Sequence, residues 1–290
     1  MQPHEPTSIS EKRLAERVAR GGITLPMLPE VPRRLVTAAS SDTTDARSLA
    51  ELIRRDSAVA GRLLRVANSA AFGGAVRIVS LQQAVARLGL DSVRRIALAI
   101  AVDAQVFRIP GFEATVRVQL DLALGAAWFA QEIARLRRLP VEEAFLAGLF
   151  HDLGRPAVIQ AAVADGVPEW AVLELAERHH GEVGACIMSD WGLPPRLVAV
   201  ARHHHHPESA GDAGGLCHLV TVADALAKAT LLQGVDVPAG AVQRASAHGP
   251  PWLAEGAIAP EPLAELGLYA DDLATLLGRA DTVRALVRGA

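Results

Sequence analysis

Hydrophobic residues recur three and four positions apart along most of this chain, which is the spacing of one face of an α-helix. Leu49, Leu52 and Ile53 mark such a face in a helix that ends near Arg54. No stretch of useful length alternates hydrophobic with polar residues in the β-branched pattern typical of a strand. The sequence therefore predicts an all-α protein. The predicted helices cover residues 10–20, 32–39, 45–54, 57–67, 80–88, 91–106, 114–137, 141–151, 168–178, 181–190, 194–204, 215–232, 261–268 and 271–288.

Capping residues and helix breakers divide this pattern. Asp56 or Ser57 is the expected N-cap of one helix, and Asn68 is expected to close that helix by binding its free carbonyls. Ser80 is expected to begin the next helix and Gly89 to end it. The sequence Ile-Pro-Gly at 109–111 is the clearest break in the first two-thirds of the chain. The expected divisions are a polar segment at 1–20, an N-terminal helical half at 21–110, a second helical half at 111–232, and a loop followed by helices at 233–290.

Composition narrows the class of protein. Half of the residues are hydrophobic and 4% are aromatic, so small and aliphatic side chains must fill the core. The formal net charge of −3 gives no basic footprint for nucleic acid and no polybasic membrane anchor. No apolar run reaches the ~18 residues that a membrane span needs, and no signal peptide is evident. We therefore expect a cytoplasmic protein that binds neither nucleic acid nor membrane.

A few residues have expected structural roles. The two cysteines, Cys186 and Cys217, form no disulfide framework and are expected to be buried as small hydrophobes. Trp128 and Trp191 are expected to pack in the core or between helices. Hydrophobic residues recur at helical spacing over 271–288, so this last helix is expected to pack on the domain.

Candidate chemistry centres on the segment FLAGLFHDLGRP, at 145–156. It places His151 and Asp152 side by side at the end of an apolar helix, with Arg155 three residues later. Neighbouring imidazole and carboxylate groups can bind one cation, and the guanidinium can meet a phosphate. Further histidines follow at 179–180 and 203–206, and Asp224 follows in VADALA.

These segments resemble one known family. LPMLPEVPRRL, LAELIRRDSAVAGRLLRVANSAAFG, VSLQQAVARLGLDSVRRIAL, FLAGLFHDLGRPAV, HHGEVGACIMSDWGLPPRLVAVARHHHHP and LVTVADALA are similar to the HDOD domain, the HD-related output domain of bacterial signalling proteins. The resemblance covers about residues 21–230. It implies an all-helical N-terminal half packed on an HD-like bundle over 111–232, which is distantly related to HD phosphohydrolases. It also implies a role in signal transduction, and most members of the family have no demonstrated catalysis.

The resemblance also implies a set of metal ligands, and the first of them is missing. HD hydrolases hold their metal with a histidine on an earlier helix, the His–Asp pair and a later aspartate. The first position falls at about Leu122, and no histidine occurs between His4 and His151. The matching ligands that remain are His151, Asp152 and Asp224. His180, His204 and His205 match positions where two-metal relatives carry extra histidines.

Two interpretations of this polar set stay open. Imidazoles with carboxylates suit a divalent transition metal, Fe, Mn or Zn. The same groups can instead form a metal-free network in which they satisfy one another. For Arg155, a helix-end surface salt bridge is favoured over a phosphate contact. The GYP signature of the similar HD-GYP phosphodiesterases is absent, which argues against cyclic-di-GMP hydrolysis of that kind.

Two functions from different classes follow. The first is a non-catalytic signal-transduction output or adaptor module, which acts through a signalling protein partner or through a bound nucleotide or other small ligand. The second is a metal-dependent phosphohydrolase or phosphodiesterase that acts on a nucleotide or phosphodiester. In that second function His151, Asp152 and Asp224 hold the metal with one or more of His180, His204 and His205, and the resemblance places Arg155 near the phosphate.

Overall fold

The computed structural model describes residues 34–35, 46–69, 72, 77–105, 109–232, 258 and 260–289. These residues form helices and turns, and no β-strand occurs among them, so the all-α prediction is confirmed. The helix predicted at 10–20 lies outside the described residues, and of the helix predicted at 32–39 the described residues 34 and 35 are helical. The described helices are α1 Ala46–Arg54, α2 Ser57–Ala67, α3 Leu81–Leu88, α4 Leu90–Gln105, α5 Glu113–Arg137, α6 Val141–Phe150, α7 Gly154–Ala164, α8 Glu169–Asp190, α9 Pro195–His203, α10 Gly214–Leu231, α11 Pro260–Leu266, α12 Ala270–Leu277 and α13 Ala280–Gly289.

Helices α1 to α4 pack on one another, and two predicted caps hold them in place. The Asp56 carboxylate accepts a hydrogen bond from the Val59 backbone N–H at 3.1 Å, as an N-cap does. Asn68 donates to the Leu64 carbonyl at 2.8 Å, which closes α2. Its side chain also exchanges two hydrogen bonds with the backbone of Ile78. Both capping predictions are therefore confirmed, and Asn68 in addition ties α2 to the approach of α3.

Helix α5 is the centre of the second half and packs against both α6 and α10. Its middle is buried on nearly all sides and consists largely of alanine and leucine, as the composition suggested. Small residues let the backbones approach closely. A Cβ added at Gly148 of α6 would lie 2.8 Å from the backbone of Ala127. Trp128 packs between Phe72 and Phe145, so its predicted core role is confirmed.

Two helix predictions were wrong around the His–Asp segment. Residues 154–164 form α7, which the sequence analysis did not predict, and α8 runs unbroken where two helices at 168–178 and 181–190 were expected. Gly181 does not interrupt α8. It faces the end of α9, where an added Cβ would lie 3.1 Å from the Arg202 carbonyl. The glycine thus serves close helix packing, which a local sequence pattern does not reveal.

The C-terminal helices pack on the rest of the molecule. Helix α11 lies on α10, and α13 contacts α2, α5 and α10. Arg137 donates to the Gly267 carbonyl and to Asp272, and Arg284 donates to the Thr230 carbonyl at 3.1 Å. The packing predicted for the last helix is therefore confirmed, although it is divided into α12 and α13. No described helix combines the length and hydrophobicity needed to cross a bilayer.

Candidate metal centre

Three segments of the second half bring the predicted polar residues together. His151 and Asp152 lie in the turn between α6 and α7, and His180 lies on α8. His204 and His205 follow directly after the end of α9. Glycine makes this meeting possible, because a Cβ at Gly154 would lie 1.9 Å from the carbonyl oxygen of His180. The start of α7 therefore touches α8 at the level of the histidines.

Asp152 is the centre of a four-residue cluster. Its Oδ1 lies 3.4 Å from Nε2 of His180 and 3.4 Å from Nε2 of His204. Nε2 of His180 lies 3.0 Å from Nε2 of His205. One ligand atom from each of these four residues lies within 4.8 Å of the others. We call Asp152, His180, His204 and His205 the His–Asp cluster.

Backbone carbonyls orient the buried histidines. Nδ1 of His180 lies 2.7 Å from the Glu177 carbonyl oxygen, and Nδ1 of His204 lies 3.1 Å from that of Ala201. Because a carbonyl oxygen accepts hydrogen bonds, Nδ1 of each ring carries the proton. The Nε2 lone pairs then point at the cluster, which is the tautomer of metal-ligating histidines.

The cluster contains more acceptors than donors. Among the described atoms, Asp152 Oδ1 is buried without a hydrogen-bond partner, and so is Nε2 of the neighbouring His151. Lone pairs that face one another at these distances are stabilised by a cation placed between them. One carboxylate with three imidazoles is a donor set that suits Fe, Mn or Zn. The residues of the cluster therefore fit such an ion.

His151 and Asp224, which the sequence analysis matched to HD metal ligands, lie at the border of the cluster. Nε2 of His151 lies 3.6 Å from Asp152 and 3.9 Å from Asp224. Asp224 forms an ion pair with Lys228, one turn later on α10. The sequence analysis did not single out Lys228, although its i,i+4 spacing from Asp224 is a recognisable signal. Leu122, where the first histidine would stand, is buried on α5.

Arg155 is held by two carboxylates. Its Nε donates to Asp152 Oδ2 at 2.7 Å, and its Nη1 donates to Glu177. The predicted salt bridge exists, but the prediction of a surface position was wrong because 13% of the Arg155 side chain is exposed. The close approach of α7 to α8 buries this pair.

Burial and charge set the protonation of the site. Burial lowers the pKa of His180 to about 4 and also lowers the pKa of His151. Burial alone would raise the pKa of Asp152, but Arg155 and His151 hold it well below its usual range. Near neutral pH, His151 and His180 are therefore neutral and Asp152 is ionised, the states that bind a metal.

The remaining predicted residues have structural surroundings. Trp191 packs edge-on against Phe150 at 6.2 Å between ring centroids, as expected for inter-helix packing. Cys217 is buried, as predicted, whereas Cys186 is half-buried on α8. One polar residue that sequence reasoning missed is Gln119 of α5, which is buried beside a cleft that Asp152 also lines. A glutamine within an otherwise apolar helix face was the available signal.

A model of the HDOD domain matches residues 25–207. The chain belongs to the HDOD family. A curated relative, an uncharacterized protein from Treponema pallidum (strain Nichols), is 25% identical over 211 residues, which are 67% of this chain and 40% of the relative. This chain thus spans about two-fifths of the length of that relative.

Solved structures share the helical fold. A candidate phosphohydrolase from Shewanella amazonensis aligns with a TM-score of 0.63 at 24% identity, over 98% of each chain. A candidate signal transduction protein from Marinobacter aquaeolei aligns with a TM-score of 0.67 at 19% identity, over 97% of this chain and 65% of that one. An HDOD domain protein of unknown function from Geobacter sulfurreducens has a TM-score of 0.61 at 22% identity, over 94% and 98%. At these identities the likeness shows the fold alone.

Proposed function

We propose that this HDOD protein is a non-catalytic output module of signal transduction, which responds to a signalling partner or to a small ligand. The observation that best supports this proposal is that the charged groups a hydrolase would use already form ion pairs within the chain. Arg155 is held by Asp152 and Glu177, and Asp224 is held by Lys228. A guanidinium bound to two carboxylates is a poor phosphate receptor, because a substrate must displace both.

In this module the His–Asp cluster joins three parts of the bundle. It links the turn between α6 and α7 to α8 and to the residues after α9. Asp152, His180, His204 and His205 would hold a divalent transition metal, Fe, Mn or Zn. Such an ion supplies positive charge to convergent lone pairs and can polarise a bound oxygen atom. The chain's own residues fix the imidazole tautomers and keep the carboxylate ionised.

The wider setting is also a proposal. The Marinobacter protein is named for signal transduction and is longer than the aligned region. This supports a role for HDOD domains beside other signalling segments or partner chains. We propose a cytoplasmic protein whose output reaches a protein partner. The net charge of −3, which gives no basic footprint, argues against a role in nucleic-acid binding.

A metal-dependent phosphohydrolase is the second candidate. It is favoured by Asp152, a residue of the His–Asp cluster that also lines an open cleft. A metal held there would be accessible to a phosphate. Two observations argue against a hydrolase. Leucine occupies position 122, and Arg155 and Asp224 each form an ion pair with another residue of the chain.

One experiment separates the two functions. Tag-free protein is assayed with bis(p-nitrophenyl) phosphate and nucleoside monophosphates in the presence of Mn²⁺, Fe²⁺ or Zn²⁺, and its metal content is measured by elemental analysis. His204→Ala removes a cluster ligand, whereas His206→Ala removes an exposed histidine of the same run. We expect the bound metal to fall in His204→Ala and not in His206→Ala. We also expect the unsubstituted protein to show no more turnover than His204→Ala. Turnover that is lost in His204→Ala and kept in His206→Ala would show that the protein is a hydrolase and not a non-catalytic module.

A further inference from the structure

A second group of acceptors lies beside the His–Asp cluster, around the imidazole of His151. This ring is 2% exposed, and its Nδ1 lies 2.8 Å from the Gly148 carbonyl oxygen, so Nδ1 carries the proton and Nε2 presents a lone pair. Nε2 lies 3.6 Å from Oδ2 of Asp152 and 3.9 Å from Oδ1 of Asp224. We call His151, Asp152 and Asp224 the border triad. Asp152 belongs both to this triad and to the His–Asp cluster, which its other oxygen, Oδ1, faces.

The border triad has the composition of a cation site. Among the described atoms, Nε2 of His151 is buried without a hydrogen-bond partner, and it faces two carboxylates that also only accept hydrogen bonds. Buried polar groups are almost always satisfied, so this lone pair calls for positive charge nearby. One imidazole and two carboxylates are also enough protein ligands for a divalent ion that completes its coordination with water. These three side chains alone would therefore attract a second ion.

A lysine already supplies positive charge to the border triad. The Lys228 ammonium forms an ion pair with Oδ2 of Asp224, the carboxylate whose other oxygen faces His151. Both side chains of the pair are largely buried, with 25% of Lys228 and 18% of Asp224 exposed. Solvent ions therefore screen this pair less than they screen an ion pair on the open surface.

The residue type at position 228 is unusual for this chain. Among its 29 basic residues, Lys12 and Lys228 are the only lysines, and the others are arginines. An ammonium is a compact point charge, whereas a guanidinium is a planar fork that matches a carboxylate through two parallel hydrogen bonds. A compact charge on one carboxylate oxygen is the closer counterpart of a bound ion.

Arg155 brings a second positive charge to the other side of the border triad. Its Nε donates at 2.7 Å to Oδ2 of Asp152, the same oxygen that faces His151. A divalent ion in the triad would therefore lie close to two fixed cations, which repel it strongly in a partly buried site. Arg155 and Lys228 together face three carboxylates, and without Lys228 two negative charges would be left unbalanced.

We propose that the Lys228 ammonium takes the place of a divalent ion in the border triad, so that this position is closed to metal. The His–Asp cluster, which uses the other oxygen of Asp152, keeps its own position for an ion. This inference deepens the proposed function and rests on it, because a two-metal centre can hold both the attacking and the leaving oxygen of a phosphate ester. A centre with one position closed by lysine lacks that arrangement, which suits a module that does not cleave a substrate.

The test counts the ions that the tag-free, 290-residue protein binds. Chelator-treated protein is titrated with Mn²⁺ by calorimetry, and its metal content after dialysis is measured by elemental analysis. Lys228→Met removes the charge and keeps most of the side-chain volume. We expect this variant to bind one more Mn²⁺ per chain than the unsubstituted protein binds at the same free Mn²⁺ concentration. All variants keep the histidines at 203–206, so ions that these residues bind by chance cancel in the comparison.

Further variants test the assignment to the border triad. Lys228→Arg keeps a cation at the position and should keep the ion count of the unsubstituted protein. Arg178→Met breaks an exposed ion pair with Glu174 at the same i,i+4 spacing and should also leave the count unchanged. Asp224→Asn added to Lys228→Met should remove the additional ion, because the triad then lacks one carboxylate. Lys228→Gln, which keeps an N–H donor for Asp224, serves if Lys228→Met does not fold.

The outcomes separate this proposal from the preceding one. An ion count that is unchanged in both Lys228→Met and Lys228→Gln would overturn the role of Lys228 and leave the signalling module in place. An additional ion that persists with Asp224→Asn, or that Arg178→Met also gains, would overturn it as well. Turnover of phosphate esters by the unsubstituted protein would overturn the module. An ion gained in Lys228→Met and lost with Asp224→Asn would support the role of Lys228 even then.

Discussion

At the scale of single residues, glycine decides whether the His–Asp cluster can assemble. Gly154 begins α7, and its Cα faces the backbone of α8 at His180 and Gly184. Any side chain at this position would push α7 away from α8. The displacement would separate Asp152 from His180, because each residue lies close to that contact along its own segment. Gly154 has no ligand atom in its side chain, but it positions Asp152 and His180, which do.

Gly154→Ala should therefore destabilise the protein. The added Cβ would lie 1.9 Å from the His180 carbonyl oxygen, a backbone atom that cannot rotate away. Overpacking against backbone costs about 3 kcal/mol of unfolding free energy or more. The control is Gly215→Ala in the first turn of α10, where an added Cβ meets nothing within 4 Å. There we expect a gain of roughly 0.5 kcal/mol from helix propensity.

Urea unfolding followed by circular dichroism measures both changes. The matched pair separates steric overlap from the general effect of replacing glycine within a helix. If the two variants differ by less than about 1 kcal/mol, α7 can shift away from α8 at little cost, and the positioning role of Gly154 is wrong.

At the scale of helices, the ion pair between Arg95 and Glu142 joins α4 to α6. Arg95 of α4 donates to Glu142 of α6, and its guanidinium also lies 5.9 Å from the centre of the Phe145 ring. The Arg95 side chain is 5% exposed and that of Glu142 is 34% exposed. Burial raises the pKa of Glu142 and lowers that of Arg95, although each attracts the other. Desolvation thus outweighs the attraction, as is common for buried pairs.

A double-mutant cycle follows from this balance. Glu142→Leu should cost about 3 kcal/mol of unfolding free energy, because it leaves the Arg95 charge buried without its partner. Arg95→Met combined with Glu142→Leu should restore most of that loss, since neither charge then needs desolvation. As a control, Glu51→Leu breaks the exposed pair with Arg47 and should change stability by less than about 1 kcal/mol.

Chemical denaturation of the four proteins in the cycle provides the coupling energy. A double variant that is less stable than Glu142→Leu alone would show that Arg95 stabilises the molecule without Glu142, for example through the Phe145 ring. The desolvation argument would then be wrong.

At the scale of the whole molecule, local patterns predicted the elements better than their contacts. Helical periodicity identified the all-α class, and the caps at Asp56 and Asn68 were correct because capping is a local interaction. The sequence did not predict α7, nor the continuity of α8 through Gly181. In both places glycine allows a close contact with the next helix along the chain, which a local pattern does not reveal.

The candidate site shows the same division. The family resemblance brought six residues into one set. The structure places four of them, Asp152, His180, His204 and His205, in one cluster and leaves His151 and Asp224 at its border. The resemblance did not reveal that Lys228 binds Asp224 or that Glu177 binds Arg155. Such pairings depend on the relative rotation and spacing of packed helices, which no local pattern encodes. They nevertheless decide whether a carboxylate or guanidinium is available to a ligand.

The buried histidines should also make the stability of the whole protein depend on pH. Burial lowers the pKa of His180 from 6.5 to about 4. Between these values the unfolded chain binds more protons than the folded protein, so unfolding free energy must decrease as pH falls. In metal-free protein the loss from His180 between pH 7 and pH 4 is about 3 kcal/mol, and His151 adds to it in the same direction. Asp152 adds little between pH 7 and pH 4, because its pKa is 3.8 in the unfolded chain and lower in the folded protein, so most of its contribution is lost below pH 4. Urea unfolding of EDTA-treated protein at several pH values should show this slope, with a smaller slope in His180→Gln and an unchanged one in His206→Gln. Equal slopes in all three proteins would mean that His180 titrates as it does in the unfolded chain. The inference that His180 is neutral and ready to bind a metal near neutral pH would then be wrong.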